Sequence, residues 1–334
     1  MSRSRRSLRF TGLILALLVS VFSATQAFAA KPITIGTVVW IGYAPFYVAE
    51  AIGAYDKYGV KVKLVNFADN ATMPGALQSG AMDGAMLTYD MVLGPVAKGW
   101  PFKVVMPIDY SNGGDAIVAK ASIASAADLK GKRVAYNPLS PSDFLLAYAL
   151  QSNGLTEADI TPVHMSPEGV PGAMASGSVD VGVTYEPNVS AIVSSGGGDK
   201  FHVILSSRQA PGLITDVLVF KADYIAAHKA EVKAVMQGYL DALAFMAKEP
   251  KKAAEYIGKA MDLPAEDVLA QLNEVHNPSL EEMQNTFAES KEIVSFYTNG
   301  PMIGDILLKK EQITKMPAIA DTLDDQFVKA LLAK

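Results

Sequence analysis

Leu77-Gln-Ser-Gly-Ala-Met-Asp83 leads into an apolar run that ends at Thr88-Tyr89-Asp90, and this pattern recurs later in the chain. The second copy is Met174-Ala-Ser-Gly-Ser-Val-Asp180, followed by an apolar run and Thr184-Tyr185-Glu186, and it is one residue shorter. Each copy predicts a helix with a Ser-Gly cap, a turn aspartate, a buried strand and a Thr-Tyr-acid triplet at the carboxyl end of the strand. Turn chemistry alone explains the Gly and Asp of each copy, because any helix-turn-strand unit can use them in its turn. It explains the two Thr-Tyr-acid triplets less well. Because ligands of open α/β sheets bind beyond the carboxyl ends of strands, the two copies predict two lobes that face each other across a cleft.

The remaining pattern is that of an α/β protein. Short runs rich in β-branched residues alternate with helical patterns from residue 33 to about residue 220, and the chain is almost entirely helical in pattern after Ala222. The helical pattern from Tyr224 to Lys248 is expected to end before Pro250.

The first residues have the pattern of an export signal. Four arginines precede an apolar run from Leu13 to Phe22, and the small-x-small motif Ala27-Phe-Ala29 follows. We expect cleavage near Ala29, which removes residues 1–29, because the run is too short to span a bilayer stably. The alternatives are an N-terminal membrane anchor and, within the export class, a twin-arginine signal at residues 4–8 in place of an ordinary one.

The composition excludes several classes of protein. Loss of the four leader arginines from 29 basic and 34 acidic residues leaves a net charge of −9, whereas nucleic-acid binding needs a basic surface. The chain has no cysteine, which excludes disulfides, thiolate metal sites and attachment of a lipid through an N-terminal cysteine. We therefore expect a freely diffusing protein of a Gram-negative periplasm.

Three groups of residues are candidates for ligand contact. Trp40 and Tyr43 follow the first strand and offer flat faces with one polar handle each, although they would also fit beneath the neighbouring helix. Ser140 and Ser142 precede an apolar helix, where they either cap it or hold an anion. The acids at strand ends would meet cationic or donor-rich groups. The full set of candidates is Trp40, Tyr43, Tyr89, Asp90, Asn112, Ser140, Ser142, Tyr185, Glu186 and Asp216, with Asp115 beside the acids.

Catalytic machinery is not evident in the sequence. The four histidines show no metal-ligand spacing, and there is no nucleophile elbow, phosphate loop or dinucleotide fingerprint. We therefore expect no catalytic residue, no metal and no cofactor. One alternative is a secreted hydrolase that uses Asp90 and Glu186 as a carboxylate pair. Another is a ligand sensor that binds a membrane kinase.

Several stretches resemble the substrate-binding proteins of ABC importers of the nitrate, sulfonate and taurine type, which include thiamine-precursor-binding relatives. They are residues 40–49, 53–60, 77–83, 128–134, 185–187 and 214–219, and their order and spacing together are specific. The resemblance implies a type II periplasmic binding protein, with two Rossmann-like lobes, a hinge and C-terminal helices covering the first lobe. Lobe 1 would be residues 30–112, lobe 2 residues 113–210, and residues 211–334 would return to lobe 1. Hinges are expected near Tyr110–Asp115 and Ser206–Leu213.

The same resemblance implies a function. Such a receptor would close on a small molecule by hinge motion and, as a monomer, dock onto a membrane permease with its ATPase. Trp40, Tyr43, Ser140, Ser142, Tyr185 and Glu186 would contact the ligand.

The chain also departs from its relatives. The pyrimidine-synthase relatives use a histidine and a cysteine-rich motif, and neither is present at the matching places. A nitrate or simple sulfonate site would be expected to carry a basic residue, whereas the matched positions here carry acids. We therefore expect a zwitterion, amine or amide, such as taurine or another aminosulfonate, in preference to a bare anion.

Overall fold

The computed structural model describes residues 31–195, 199–210 and 212–333. The expected export signal at residues 1–29 lies outside this part of the chain. No helix within it is long and apolar enough to cross a membrane. The chain forms two sheets, each flanked by helices.

The first sheet contains β1 (Ile33–Thr37), β2 (Val62–Asn66), β3 (Gly84–Thr88), β4 (Phe102–Ser111), β10 (Thr215–Lys221) and β11 (Val275–His276). Their order is β11-β4-β10-β3-β1-β2. β1, β2 and β3 are parallel, and β10 is antiparallel to both β3 and β4. β11 pairs with the outer side of β4, so the part of the chain after Ala222 is less purely helical than its pattern predicts.

The second sheet contains β5 (Asp115–Lys120), β6 (Arg133–Tyr136), β7 (Thr161–His164), β8 (Val181–Tyr185) and β9 (Phe201–Ser206). Their order is β7-β6-β8-β5-β9. β6, β7 and β8 are parallel, and β5 is antiparallel to both β8 and β9. Each sheet thus has four parallel strands and one antiparallel strand that enters from the other sheet. The antiparallel strand lies between β3 and β4 in the first sheet and between β8 and β9 in the second.

The helices begin and end at recognisable signals. Gly80 and Gly177, the glycines of the repeated pattern, cap their helices at left-handed φ values of 78° and 76°. The helix before Pro250 ends at Lys248, as expected. A new helix begins at Pro250, because proline suits the first helical position. The α-helices are α1 (Ala44–Ala51), α2 (Met73–Ser79), α3 (Asp90–Ala97), α4 (Pro141–Ser152), α5 (Val170–Ser176), α6 (Asn188–Ser195), α7 (Ala222–Ala227), α8 (Lys229–Lys248), α9 (Pro250–Met261), α10 (Ala265–Gln271), α11 (Leu280–Phe287), α12 (Phe296–Lys309), α13 (Ile319–Thr322) and α14 (Gln326–Leu332).

The chain crosses between the sheets at residues 112–114 and again at residues 207–214. The two crossovers are hydrogen-bonded to each other. The hydroxyl of Ser207 lies 2.8 Å from that of Ser111 and accepts a hydrogen bond of 2.8 Å from the backbone N–H of Gly113. The two connections therefore form one narrow junction between the two halves of the molecule.

The C-terminal helices lie mainly against the first sheet. α11, α13 and α14 contact β4, and α12 contacts α3. α12 also reaches α4 of the second half, where Lys310 at its end lies 2.5 Å from Asp143 and 3.0 Å from Glu157. This ion pair is a further contact between the two halves besides the crossovers.

The Lys310 ion pair predicts a measurable loss of stability. Its lysine and aspartate side chains are only 15% and 4% exposed, so Lys310→Met leaves a buried carboxylate without its cation. We expect the free energy of unfolding at neutral pH to fall by about 2 kcal/mol, between the values for surface and fully buried pairs. Denaturant unfolding measures this. Lys329→Met, which breaks an exposed pair with Asp325, is the matched control and should change little; equal effects of the two variants would contradict the prediction.

Candidate ligand site

Three polar side chains form a row at one end of the first sheet. Asp216 of β10 is paired with Thr88 of β3 on one side and with Asp109 of β4 on the other. Directly paired residues place their side chains on the same face of a sheet. Thr88, Asp216 and Asp109 are only 4%, 3% and 0% exposed. A hydroxyl and two carboxyls are therefore buried side by side where β3 ends.

The loop after β1 covers this row with two aromatic side chains. Nε1 of Trp40 donates to both carboxyl oxygens of Asp109, at 3.2 Å each. The hydroxyl of Tyr43 donates to Oδ1 of Asp216 at 2.5 Å. Between them, Gly42 is so close to this pair that a β-carbon would overlap the side chains of Asp109 and Trp40. The loop is thus held in place by the carboxyls that it covers.

The second sheet supplies the opposite side of the site. Tyr185 is the last residue of β8 and is paired with Asp115, the first residue of β5. The rings of Tyr185 and Trp40 are in edge-to-face contact, with centroids 5.7 Å apart. Pro141, the first residue of α4, lies beside them. The two halves of the molecule therefore meet at an aromatic contact directly over the buried acids.

A cavity lies between these groups. Its volume of about 20 Å³ has room for about one water molecule, so a larger ligand does not fit without movement of the groups that line it. Most of its wall is apolar, and side chains with polar atoms come from five positions on the first half and from Tyr185 on the second. The lining residues are Val38, Trp40, Tyr43, Asn70, Met86, Leu87, Thr88, Met91, Pro141, Tyr185 and Asp216.

Burial dominates the electrostatics of the acids. It raises the pKa of Asp109 and that of Asp216 well above the usual range, and the repulsion between the two adds to the rise for Asp216. Burial also raises the pKa of Asp115 to about 7 and that of Asp90 to about 6. Within the described residues, no basic side chain lies within 4.0 Å of Asp109, Asp115 or Asp216. The site therefore favours protonated carboxyls or an added positive charge.

Trp40, Tyr43, Tyr185 and Asp216 are the predicted site residues that the structure brings together around the cavity. Tyr89 points away from it: its ring packs against Phe296 at 4.5 Å, and its hydroxyl lies 2.7 Å from that of Thr322. Thr88 is the last residue of β3, whereas Tyr89 already has helical backbone angles, so its side chain is directed to the C-terminal helices and not to the cavity. Asp90, at the start of α3, lines a separate groove.

The predicted site residues Ser140 and Ser142 lie at the start of α4. The hydroxyl of Ser140 donates to the carbonyl of Asn137 at 2.6 Å and accepts from the N–H of Ser142 at 3.2 Å, which is the capping alternative. The hydroxyl of Ser142 is buried and has no hydrogen-bond partner among the described residues. Only Pro141, between them, lines the cavity.

Asn112 and Glu186 also lie away from the cavity. Asn112 is in the first crossover, where its N–H donates to the carbonyl of Glu274. The carboxyl of Glu186 accepts from the N–H and hydroxyl of Ser190, at 3.1 and 2.9 Å, and lines a surface groove. Because Asp90 and Glu186 line different grooves, the structure does not bring together the carboxylate pair that the hydrolase alternative requires.

The sequence-based candidates omitted Asp109, Thr88 and Asn70. In the sequence, Asp109 follows an apolar run that predicts a strand ending at Ile108, as Asp90 follows another, and this position is the signal that could have added it to the candidates. In the structure β4 continues to Ser111, so Asp109 lies within the strand. Asn70 has no comparable signal: it reaches the cavity from a short turn, and its side-chain oxygen accepts from the amide of Asn137 across the cleft at 2.9 Å.

Two sheets joined by two crossovers, with a lined cavity between them, define a two-lobed ligand-binding protein. Residues 40–253 match the family described as NMT1/THI5 like, and the chain belongs to this family.

Curated relatives agree with this assignment. The chain is 27% identical over 222 residues to the taurine-binding periplasmic protein of Escherichia coli K12. This match covers 65% of this chain and 67% of that protein. It is 28% identical over 162 residues to the putative aliphatic sulfonates-binding protein of the same organism, covering 48% and 49%. The match thus spans about half the length of the second relative.

Solved structures share the fold. The alkanesulfonate-binding protein SsuA of Xanthomonas axonopodis pv. citri, bound to MOPS, superposes with a TM-score of 0.70 at 20% identity, covering 89% of this chain and 100% of that one. The desulfurization enzyme DSZB has the same fold, with a TM-score of 0.65 at 12% identity over 91% of this chain and 99% of that one. The predicted family and the predicted two-lobed α/β fold are confirmed, while the fold alone does not separate binding from catalysis.

Proposed function

We propose that this chain is the exported solute receptor of an ABC importer. It binds a small nitrogen- or sulfur-containing organic compound between its two lobes and delivers it to a membrane permease with its ATPase. It works in the periplasm as a monomer after removal of residues 1–29, and it performs no catalysis. Binding proteins for taurine and aliphatic sulfonates among its relatives support this proposal.

The observation that carries the proposal is the shared cavity. Trp40, Tyr43 and Asp216 line it from the first half of the molecule, and Pro141 and Tyr185 line it from the second half. A ligand held there contacts both halves at once, so its binding energy favours the closed arrangement. A permease that recognises this arrangement would distinguish the loaded receptor from the empty one.

The small size of the cavity supports a movement of the two lobes as part of this proposal. Its volume of about 20 Å³ is too small for taurine, so the lobes must open to admit any such compound. We take residues 30–112 with 211–334 as one lobe and residues 113–210 as the other. The crossovers at residues 112–114 and 207–214 are then the hinge.

A ligand screen tests the receptor function. Thermal unfolding of the mature protein with taurine, alkanesulfonates, nitrate, amines and amides should identify at least one stabilising compound. At 100 times its dissociation constant, a ligand adds about 2.7 kcal/mol to the free energy of unfolding. The recovered ligand should be chemically unchanged after hours of incubation. Conversion of the ligand would contradict the absence of catalysis, and no stabilisation by any class would contradict the receptor function.

A further inference from the structure

Three neighbouring carboxyls are buried in this site without a counter-charge. Asp109 and Asp216 are paired across β4 and β10, and Asp115 raises the pKa of both through its charge. Moving ionised carboxylates out of water is costly unless a cation or hydrogen-bond donors compensate for the loss of hydration. Trp40 and Tyr43 provide donors, but no basic side chain of the described residues is within ion-pair distance.

An independent feature points to a ligand at the same place. The hydroxyl of Thr88 is buried and lines the cavity. The carboxyl of Asp90 is near enough to affect it, but no group among the described residues forms a hydrogen bond of normal geometry with this hydroxyl. Thr88 is the direct neighbour of Asp216 across β3 and β10. A buried hydroxyl left unpaired costs free energy, which a donor or acceptor placed in the cavity would recover. The unpaired hydroxyl and the carboxyl of Asp216 thus line the same small space.

We propose that the ligand is a small organic cation, such as an alkylammonium, whose charged group is held by Asp216 with Asp109 behind it and Thr88 beside it. This deepens the proposed function and rests on it. It also distinguishes the site from one for sulfonate or nitrate, since an anion would meet the carboxyl of Asp216 and no lysine or arginine along the wall.

The rest of the wall suits the body of such a ligand. Val38, Met86, Leu87 and Met91 provide an apolar surface, and the rings of Trp40 and Tyr185 close it from above. Aromatic faces also attract organic cations. A short alkyl chain that carries one ammonium group therefore matches both the charge and the surface of the cavity.

Binding of a cation should release a proton to solvent. In the empty protein, burial favours protonated carboxyls, whereas a bound ammonium favours the ionised form. The groups that face the Asp109–Asp216 pair add negative charge or none, so none of them replaces the ligand's charge. They are Trp40, Tyr43, Asp90, Tyr110, Asp115, Tyr185 and Tyr239.

Three probe compounds with the same propyl group test which charge the ligand carries. Calorimetry at pH 6 should show that propylamine binds more tightly than 3-aminopropanesulfonate, and that propanesulfonate does not bind measurably. Repeating the propylamine titration in buffers of different ionisation enthalpy should show release of about one proton. The affinity for propylamine should also rise with pH between 5 and 7. Tighter binding of propanesulfonate, or no binding of propylamine, would overturn the proposal.

Matched variants test the residues. Asp216→Asn and Asp109→Asn should each weaken propylamine binding on the order of 10- to 100-fold and reduce proton release. Glu186→Gln makes the same change of charge at a buried acid outside the cavity and should retain wild-type affinity. Thermal unfolding of each variant reports whether it folds.

The failure of this proposal is distinguishable from failure of the receptor function. If the receptor function holds and the cation assignment is wrong, some other compound of the wider screen binds, and Asp216→Asn binds it as tightly as wild type does. If the receptor function itself is wrong, the wild-type protein binds no compound of that screen.

Discussion

Raising the pH from 5 to 8 is expected to lower the free energy of unfolding of the ligand-free protein by about 4 kcal/mol through Asp115 and Asp90, and further through Asp109 and Asp216. Burial raises the pKa of Asp115 to about 7 and that of Asp90 to about 6, whereas an unfolded aspartate has a pKa of about 3.9. In this range the folded protein holds protons that the unfolded chain has lost. The resulting stability is complete below the unfolded pKa and is lost as the pH rises through the folded values. Two pH units for Asp115 and one for Asp90, at 1.36 kcal/mol each, give the expected size.

Single variants assign this pH dependence. Asp115→Asn should remove about 2–3 kcal/mol of it, because an amide has no proton to lose. Asp56→Asn changes an aspartate whose side chain is 57% exposed and should leave the pH dependence as it is. Denaturant unfolding at several pH values measures both. A free energy of unfolding that rises from pH 5 to pH 8 would contradict the prediction, since it would mean that the buried carboxyls are ionised and compensated in the folded protein.

Gly42→Ala is expected to lower the free energy of unfolding by about 3 kcal/mol and to abolish ligand binding. A methyl group at this position would overlap Oδ2 of Asp109 and Nε1 of Trp40, which are hydrogen-bonded to each other beside it. Forcing extra volume into a packed site costs typically 1–3 kcal/mol, and here a buried hydrogen bond to a carboxyl is also lost. Denaturant unfolding gives the stability, and the fluorescence of Trp40 reports the displacement of its ring.

Gly75→Ala is the control, because it replaces a glycine with alanine outside the site. Gly75 lies within α2, and a β-carbon there would meet no atom within 4 Å. Alanine is the better helix former, so this variant should stabilise the protein by about 0.5–1 kcal/mol and leave binding intact. Equal losses of stability in the two variants would show that the Trp40–Asp109 contact is not the cause.

Much of the fold could be predicted from local pattern, because that pattern is set by short-range physics. Apolar runs predict the strands. Gly80 and Gly177 predict the ends of two helices, because glycine readily adopts the left-handed conformation that other residues avoid. Trp40 and Tyr43 were identified for a similar reason, as aromatic side chains in a loop after a buried strand. These features depend on neighbours in the chain, so the sequence alone determines them.

The arrangement of the acids in the site could not be predicted, because it depends on contacts between strands that are distant in the sequence. Asp109 and Asp216 become neighbours only because β10 returns from the second sheet and pairs with β4 in one register. Nothing near either residue in the chain encodes that register. The same holds for Glu186, which carries a suitable charge at a suitable strand end but turns to the start of α6 and accepts from Ser190.

The repeated pattern shows most directly what each level decides. The sequence determines two helix-turn-strand units that end in Thr-Tyr-acid, and the structure contains both. Counted from the turn aspartates, however, Thr88 and Tyr185 occupy the same position, since the second unit is one residue shorter. Both line the cavity, whereas Tyr89 lies one position further and faces Phe296. Tyr89 has left the extended backbone of β3, and only the packing of the C-terminal helices against this strand decides that its side chain meets a helix instead of the cleft.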